Sequence, residues 1–120
     1  MPKLTVEDIF KWVLKHRKNK VFRRMTNGEI LSRICSSCLL GRIIVATNTK
    51  GEIEGVIIYE IPREKTLYIL HLLATTKQAF KHFARIYQQC FQDFTIEADR
   101  YDEFIQYKNT RRLINLIQKI

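Results

Sequence analysis

The sequence predicts an α+β fold in a single domain, and three observations support that prediction. Helical periodicity occupies residues 5–18 and 26–41 and begins again near residue 77. Between these segments, β-branched and alternating stretches joined by short turns predict strands. The length of 120 residues is enough for one hydrophobic core and too short for two. We therefore treat residues 1–120 as one domain, with a basic helical part at 1–41 and a sheet and crossover part at 42–120.

Two capping signatures place the N-terminal helices. Thr5 precedes Asp8 by three residues, and the apolar residues that follow recur at helical spacing, which predicts an amphipathic helix at about 5–18. The sequence from Thr26 to Glu29 forms a second capping box, and Gly41 ends the helix that follows, because glycine adopts the left-handed conformation at little cost. The residues of this second helix that we expect in the core are Ile30, Leu31, Ile34, Cys35, Cys38 and Leu39.

Three strands follow the helices. Residues 42–47 are rich in β-branched side chains, which predicts a strand. Residues 52–61 place glutamates at alternate positions and apolar side chains between them, which is typical of a strand with one wetter face. Residues 66–74 are almost continuously apolar, as expected for a central strand covered on both faces. Turn residues at 48–51 and 62–65 separate the strands, so we expect an antiparallel meander.

The C-terminal part predicts a crossover connection. Thr75 or Thr76 caps a third helix, whose apolar residues keep helical spacing for three turns. A short strand at 94–98 returns from this helix, and such a connection makes it parallel to 66–74 and right-handed in sense. Residues 102–120 are expected to form a last helix, which residues 108–110 either continue or break.

Positive charge is concentrated towards the N-terminus. The net charge is +9; residues 1–50 hold 11 basic and 3 acidic side chains, a net of +8, whereas residues 51–120 hold 10 and 9, a net of +1. The densest part, residues 11–24, has seven cations and no acid, which predicts either a solvated helix face or a surface for an anionic partner such as a nucleic acid. The residues expected to contact phosphate are Lys11, Lys15, Lys18, Lys20, Arg23 and Arg24, with Trp12 and Phe22 as stacking groups.

Other chemical signatures are weak. No apolar run approaches the roughly 20 residues that span a bilayer, and the N-terminus does not resemble a secretory signal, so we expect a cytoplasmic chain that does not enter a membrane. Cys35 and Cys38 have redox spacing but lie late in their helix, and no second close pair completes a zinc site. We therefore expect buried free cysteines and no metal. Walker, HExxH and GxSxG motifs do not occur in the sequence.

The order of predicted elements resembles the GNAT (GCN5-related N-acetyltransferase) family over about residues 5–117. In that family, two helices precede an antiparallel meander, and the third helix links two parallel strands that splay apart. Residues 51–59 look like the family's second and third strands meeting at a turn. The resemblance implies acetyl-CoA as cofactor, with its pyrophosphate held at the start of the third helix by a Gln/Arg-x-x-Gly-x-Gly/Ala loop, where free amides and the positive helix end meet the phosphates.

This sequence departs from that loop. The corresponding segment is Ala74-Thr75-Thr76-Lys77-Gln78-Ala79, in which only Ala79 fits the pattern and Lys77 stands where a glycine is expected. The hydroxyls of Thr75 and Thr76, together with Lys77, either contact phosphate or belong to an ordinary helix cap. The family's first strand and closing pair also have no counterpart.

The resemblance also suggests catalytic residues. Many members carry a tyrosine on the last helix as general acid, and Tyr107 is the nearest match by position. For a base that accepts an amine proton, the candidates on the meander are Glu60 and His71. Packing or surface roles are the alternative for all three.

We expect a GNAT-like domain without the usual acetyl-CoA loop, acting as a non-catalytic binding or structural module for a nucleic acid. Compact bacteriophage accessory or virion proteins are the setting that the resemblance implies, with the host cytoplasm or the virion as location. The alternatives are an active N-acetyltransferase with a divergent cofactor loop, and a protein-interaction subunit in which an open sheet edge or the splay between parallel strands takes a partner's strand.

Overall fold

A computed structural model describes residues 4–16, 22, 25–98 and 104–119, and in the last helix the side chains of 111–118. These residues form four helices and four strands. The strands make one mixed sheet of order β1-β2-β3-β4, which is antiparallel except for the parallel pair β3–β4. The predicted α+β class, the meander and the parallel fourth strand are confirmed. The elements are α1 Val6–His16, α2 Asn27–Leu40, β1 Ile43–Thr47, β2 Ile53–Arg63, β3 Thr66–Ala74, α3 Lys77–Cys90, β4 Thr95–Ala98 and α4 Phe104–Lys119.

Helices cover both faces of the sheet. On one face, α3 and α4 pack against a buried cluster that includes Ile57 and Ile69. On the other face, α1 and α2 pack against a second cluster around Val56 and Ile58. Because both faces are covered, residues 55–59 of β2 are all buried, and the prediction of one wetter face for this strand is wrong at its centre.

A bulge in β2 explains why simple alternation fails there. Ala46 pairs with Gly55 but Thr47 pairs with Ile53, so Glu54 is an extra residue in the ladder. A bulge reverses the alternation beyond it, and Ile53 therefore packs in the α1–α2 cluster. A second register shift makes Leu70 an extra residue in β3. The first bulge also changes the direction of the Glu54 side chain, whose carboxylate accepts a hydrogen bond from Thr76.

The predicted caps are present, and most bounds agree within two residues. Thr5 and Asp8 exchange hydrogen bonds, Thr26 and Glu29 form the capping box, and Gly41 closes α2 with a left-handed φ of 67°. Two bounds differ. Strand β2 continues to Arg63, so the second turn is shorter than predicted, and α4 runs through residues 108–110 without a break.

Helix α2 turns a different stripe towards the sheet than we expected. Ile30, Ile34 and Ser37 are buried, whereas Leu31 and Leu39 are exposed, Leu39 to 89%. A helix in a layer buries a stripe little more than 100° wide, and the sequence offers two apolar stripes side by side, of which only one is covered. The prediction of buried cysteines is also wrong: all three are free thiols, but Cys35 and Cys90 are exposed and Cys38 is half-buried.

Candidate functional site

The junction between β3 and α3 is held by hydrogen bonds to the bulged Glu54. The main-chain N–H and the hydroxyl of Thr75 both donate to the Glu54 carbonyl oxygen, at 2.9 and 3.1 Å. The Thr76 hydroxyl donates to the Glu54 carboxylate at 3.1 Å and accepts from the Ala79 N–H at 3.2 Å. Thr76 is therefore the N-cap of α3, and its hydroxyl is engaged both as donor and as acceptor.

This network places a negative charge where the family resemblance would place a pyrophosphate. The N-terminal end of a helix carries partial positive charge, which stabilises a nearby carboxylate such as Glu54. A phosphate approaching the same end meets that carboxylate as a like charge a few ångströms away. The other two predicted cofactor residues lie in the first turn of α3: Lys77 is exposed, and Ala79 is buried, with its N–H donated to Thr76.

A cleft of about 350 Å³ opens beside this junction. All the residues that line it have polar side chains, and most of them come from the end of β1, the turn after it and one side of α3. Glu54, its acidic residue, already accepts from Thr76, while Arg85 is exposed. The three α3 residues of this cleft are spaced as one helix face, a pattern that is visible in the sequence but was not used to predict a cleft. The cleft is lined by Thr47, Asn48, Thr49 and Glu54, and from α3 by Gln78, His82 and Arg85.

His71 lies on the other face of the sheet, next to the bulge in β3. Its ring stacks on Phe22 with 4.2 Å between centroids, and its Nε2 is 3.5 Å from Nη1 of Arg33. An arginine can only donate, so Nε2 accepts and the proton sits on Nδ1, which is buried and has no hydrogen-bond partner among the described residues. The lone pair that a general base would use is therefore occupied.

Burial, and secondly the charge of Arg33, lower the pKa of His71 from 6.5 to about 4. In the unfolded chain the histidine takes up a proton as the pH falls below 6.5, whereas in the fold it stays neutral until about pH 4. Between these values the unfolded state binds more protons, so stability should fall with falling pH by at most about 1.4 kcal/mol per pH unit. Above pH 6.5 this contribution is constant.

Urea unfolding at pH 7, 6 and 5 of the wild type and of His71→Leu measures this contribution. The leucine variant should show a shallower pH dependence, since the carboxylates titrate in both proteins and only the histidine differs. Parallel curves for the two proteins would contradict the assignment of a neutral His71.

Of the predicted catalytic residues, Glu60 and His71 lie on neighbouring strands but are not cross-strand partners. Glu60 is exposed and pairs across the sheet with Tyr68, whereas His71 pairs with Ile58. Ile58 and Glu60 are two residues apart in β2, which is about 7 Å along the strand. Arg63, which follows Glu60 closely, instead makes a bidentate ion pair with Glu97 of β4 at 2.7 and 2.8 Å. Tyr107 belongs to α4, but its side chain lies outside the described residues.

The N-terminal basic run is only partly described. Lys15 is exposed, and Lys11 makes an exposed ion pair with Glu7 at 2.9 Å. Trp12 is half-buried, packs against the α1–α2 cluster and lies 4.7 Å from the ring of His16. Phe22 is 1% exposed, so the prediction that it stacks on bases is wrong. The predicted phosphate contacts Lys18, Lys20, Arg23 and Arg24 lie outside the described residues.

Comparison with known proteins adds no family. No family model, curated protein or solved structure matches the chain. In the part of the chain that the structure describes, no helix is both long enough and apolar enough to cross a bilayer. Nor do three His, Cys, Asp or Glu residues within that part gather in a way that would hold a metal ion.

Proposed function

We propose that this chain is a GNAT-like domain that does not use acetyl-CoA and that binds the phosphate backbone of a nucleic acid through its N-terminal basic run. The observation that carries the proposal is the carboxylate of Glu54 at the start of α3. It disfavours a pyrophosphate at the one place where the resemblance would put it, while residues 11–24 hold seven cations and no acid, a composition that suits another polyanion.

The sheet supports the GNAT-like part of the proposal. Pairing of β3 with the parallel strand β4 extends from Thr66 to Ile69, and the bulge at Leu70 follows directly. The crossover helix α3 joins the two strands.

The basic run supports the nucleic-acid part. Lys11 and Lys15 lie on the exposed side of α1, and Lys15 and His16 stand in its last turn, where cations complement the helix dipole. Phe22 is buried in the α1–α2 cluster, and Arg23 and Arg24 follow it directly in the sequence. Since no base-reading motif accompanies these cations, the expected contact is to phosphates and not to base edges.

Fluorescence anisotropy with a labelled 20-base-pair duplex between 50 and 200 mM salt tests the proposal. Each phosphate contact contributes about −0.9 to the slope of log K against log salt, so contacts from six cations give a slope of about −5. Replacing Lys18, Lys20, Arg23 and Arg24 by alanine should reduce the slope by about 3 to 4 units. Binding that does not depend on salt would contradict the proposal.

The coenzyme part has its own test. Ligands that bind only the folded state raise the melting temperature, so we expect 1 mM acetyl-CoA to leave it unchanged. An increase of several degrees would favour the alternative, an acetyltransferase with a divergent loop. Glu54→Gln, which removes the charge and keeps the shape, shows whether the carboxylate is what excludes the coenzyme, because this variant alone should then gain a shift.

A further inference from the structure

The charges of the helices are divided unevenly between the two faces of the sheet. In α1 and in α2, basic and acidic residues are equal in number. The sequences of α3 and α4 together contain seven basic residues and no acid. The nine acids of residues 51–120 all lie outside residues 77–90 and 104–119; three of them, Asp99, Asp102 and Glu103, precede α4 in the sequence and lie outside the described residues.

Helix α3 arranges its three cations in a row. Lys77, Lys81 and Arg85 are four residues apart and all exposed, so they follow one side of the helix over about 12 Å. Measured along the duplex axis, this length corresponds to about three or four phosphates of one strand. Gln78 and Gln89 are exposed beside the row and supply neutral hydrogen-bond donors.

Helix α4 adds two cations next to this row. Arg111 and Arg112 are exposed, and the guanidinium of Arg112 lies over the ring of Phe80 of α3, 4.4 Å from its centroid. This contact places Arg112 against α3, and Arg111 precedes it on the exposed part of α4. We call Lys77, Lys81, Arg85, Arg111 and Arg112 the α3–α4 basic surface.

We propose that the α3–α4 basic surface is a second phosphate-binding surface for nucleic acid, on the opposite side of the sheet from Phe22 and helix α1. The inference rests on the proposed function for the class of partner. It adds that the domain contacts nucleic acid on two faces, so a single duplex must bend around the domain to reach both.

The composition of this surface favours nucleic acid over a membrane. Helices that bind membrane interfaces expose large apolar side chains between their cations. Within the described residues, the exposed large apolar side chains are Leu4, Leu31, Leu39 and Leu40, all outside α3 and α4. No acid in α3 or α4 can pair with its cations as Glu7 pairs with Lys11 in α1. Among the described residues, Glu54 lies at the start of α3, bonded to Thr76, and Asp93 lies beyond its end.

The test compares two double variants with the same change in charge. Lys81→Gln with Arg85→Gln removes the middle of the surface, and Lys50→Gln with Lys65→Gln removes two exposed cations from turns between strands. With the labelled 20-base-pair duplex at 100 mM salt, the α3 variant should bind at least tenfold more weakly, with a salt slope smaller by about 2 units. The control should stay within about twofold of the wild type. Arg111→Gln with Arg112→Gln should behave like the α3 variant.

The outcomes separate this inference from the proposed function. If the wild type shows no salt-dependent binding, both fail. If the wild type binds and the N-terminal quadruple variant loses affinity, but the α3 variant equals the control, only the second surface is refuted. Anionic vesicles containing phosphatidylserine form the last arm: vesicle binding that the α3 variant abolishes while leaving duplex binding unchanged would also overturn the inference. Unchanged melting temperatures confirm that the variants fold.

Discussion

Replacing Phe22 by alanine is expected to lower the free energy of unfolding by about 3–5 kcal/mol. Its ring is 1% exposed and lies in the α1–α2 cluster, where it stacks on His71 at 4.2 Å. Removing it leaves a cavity beside half-buried His71, whose Nδ1 has no hydrogen-bond partner among the described residues. Urea unfolding monitored by circular dichroism measures the loss, and Phe22→Leu, which keeps most of the apolar volume, should lose less than half as much.

The backbone at Phe22 gives a second, sharper comparison. Its φ is 64°, in the left-handed region, where a residue with a Cβ is strained by about 1–2 kcal/mol. The burial of the ring is worth more than this strain, which explains why a bulky residue occupies the position. Phe22→Gly loses the ring but relieves the strain, so it should be more stable than Phe22→Ala by about 1 kcal/mol. An alanine variant within 1 kcal/mol of the wild type would show that Phe22 does not anchor this segment.

Replacing Gly55 by alanine is expected to destabilise the domain by about 1–3 kcal/mol. Gly55 lies in the buried centre of β2, and a Cβ there would come within 2.8 Å of Cζ of Phe83 and 3.0 Å of Cβ of Ala79. Helix α3 must therefore move away from the sheet or Phe83 must leave its rotamer. The same shift would disturb Glu54 and the cap of α3, because they are adjacent to Gly55 and Ala79.

A matched control is available in α2. A Cβ at Gly28 would lie 3.9 Å from its nearest neighbour, the hydroxyl oxygen of Thr26, and Gly28 lies in a helix. Gly28→Ala should therefore be neutral or stabilise by up to about 1 kcal/mol. Thermal and urea unfolding of both variants measure the difference. Equal stability of Gly55→Ala and Gly28→Ala would contradict the close approach of α3 to β2.

The order of elements could be predicted because each signal is local. The capping box at Thr26, the glycine at the end of α2 and the apolar run of β3 each depend on residues within a few positions of one another. The stripe that α2 buries could not be predicted in this way. It depends on how α1 and the sheet meet α2, and the sequence offers Leu31 and Leu39 as readily as Ile30 and Ile34.

The site shows the same limit. Thr76 was a foreseeable cap, but its partner Glu54 lies 22 residues earlier and is aimed at it by a bulge that alternation cannot reveal. The net charge of each half of the sequence pointed only to residues 11–24. Counting charges separately for each helix would have shown that residues 77–90 and 104–119 contain no acid. The contact between Arg112 of α4 and Phe80 of α3 could not be predicted, because it depends on how the two helices pack.

Duplex affinity measured between 50 and 200 mM salt tests the central claim most directly. If the domain is a polyanion-binding module, the wild type should lose about 10³-fold or more in affinity over this range, as expected for six or more phosphate contacts. Affinity that stays constant across the range, or no binding at 50 mM, together with stabilisation by acetyl-CoA, would contradict it.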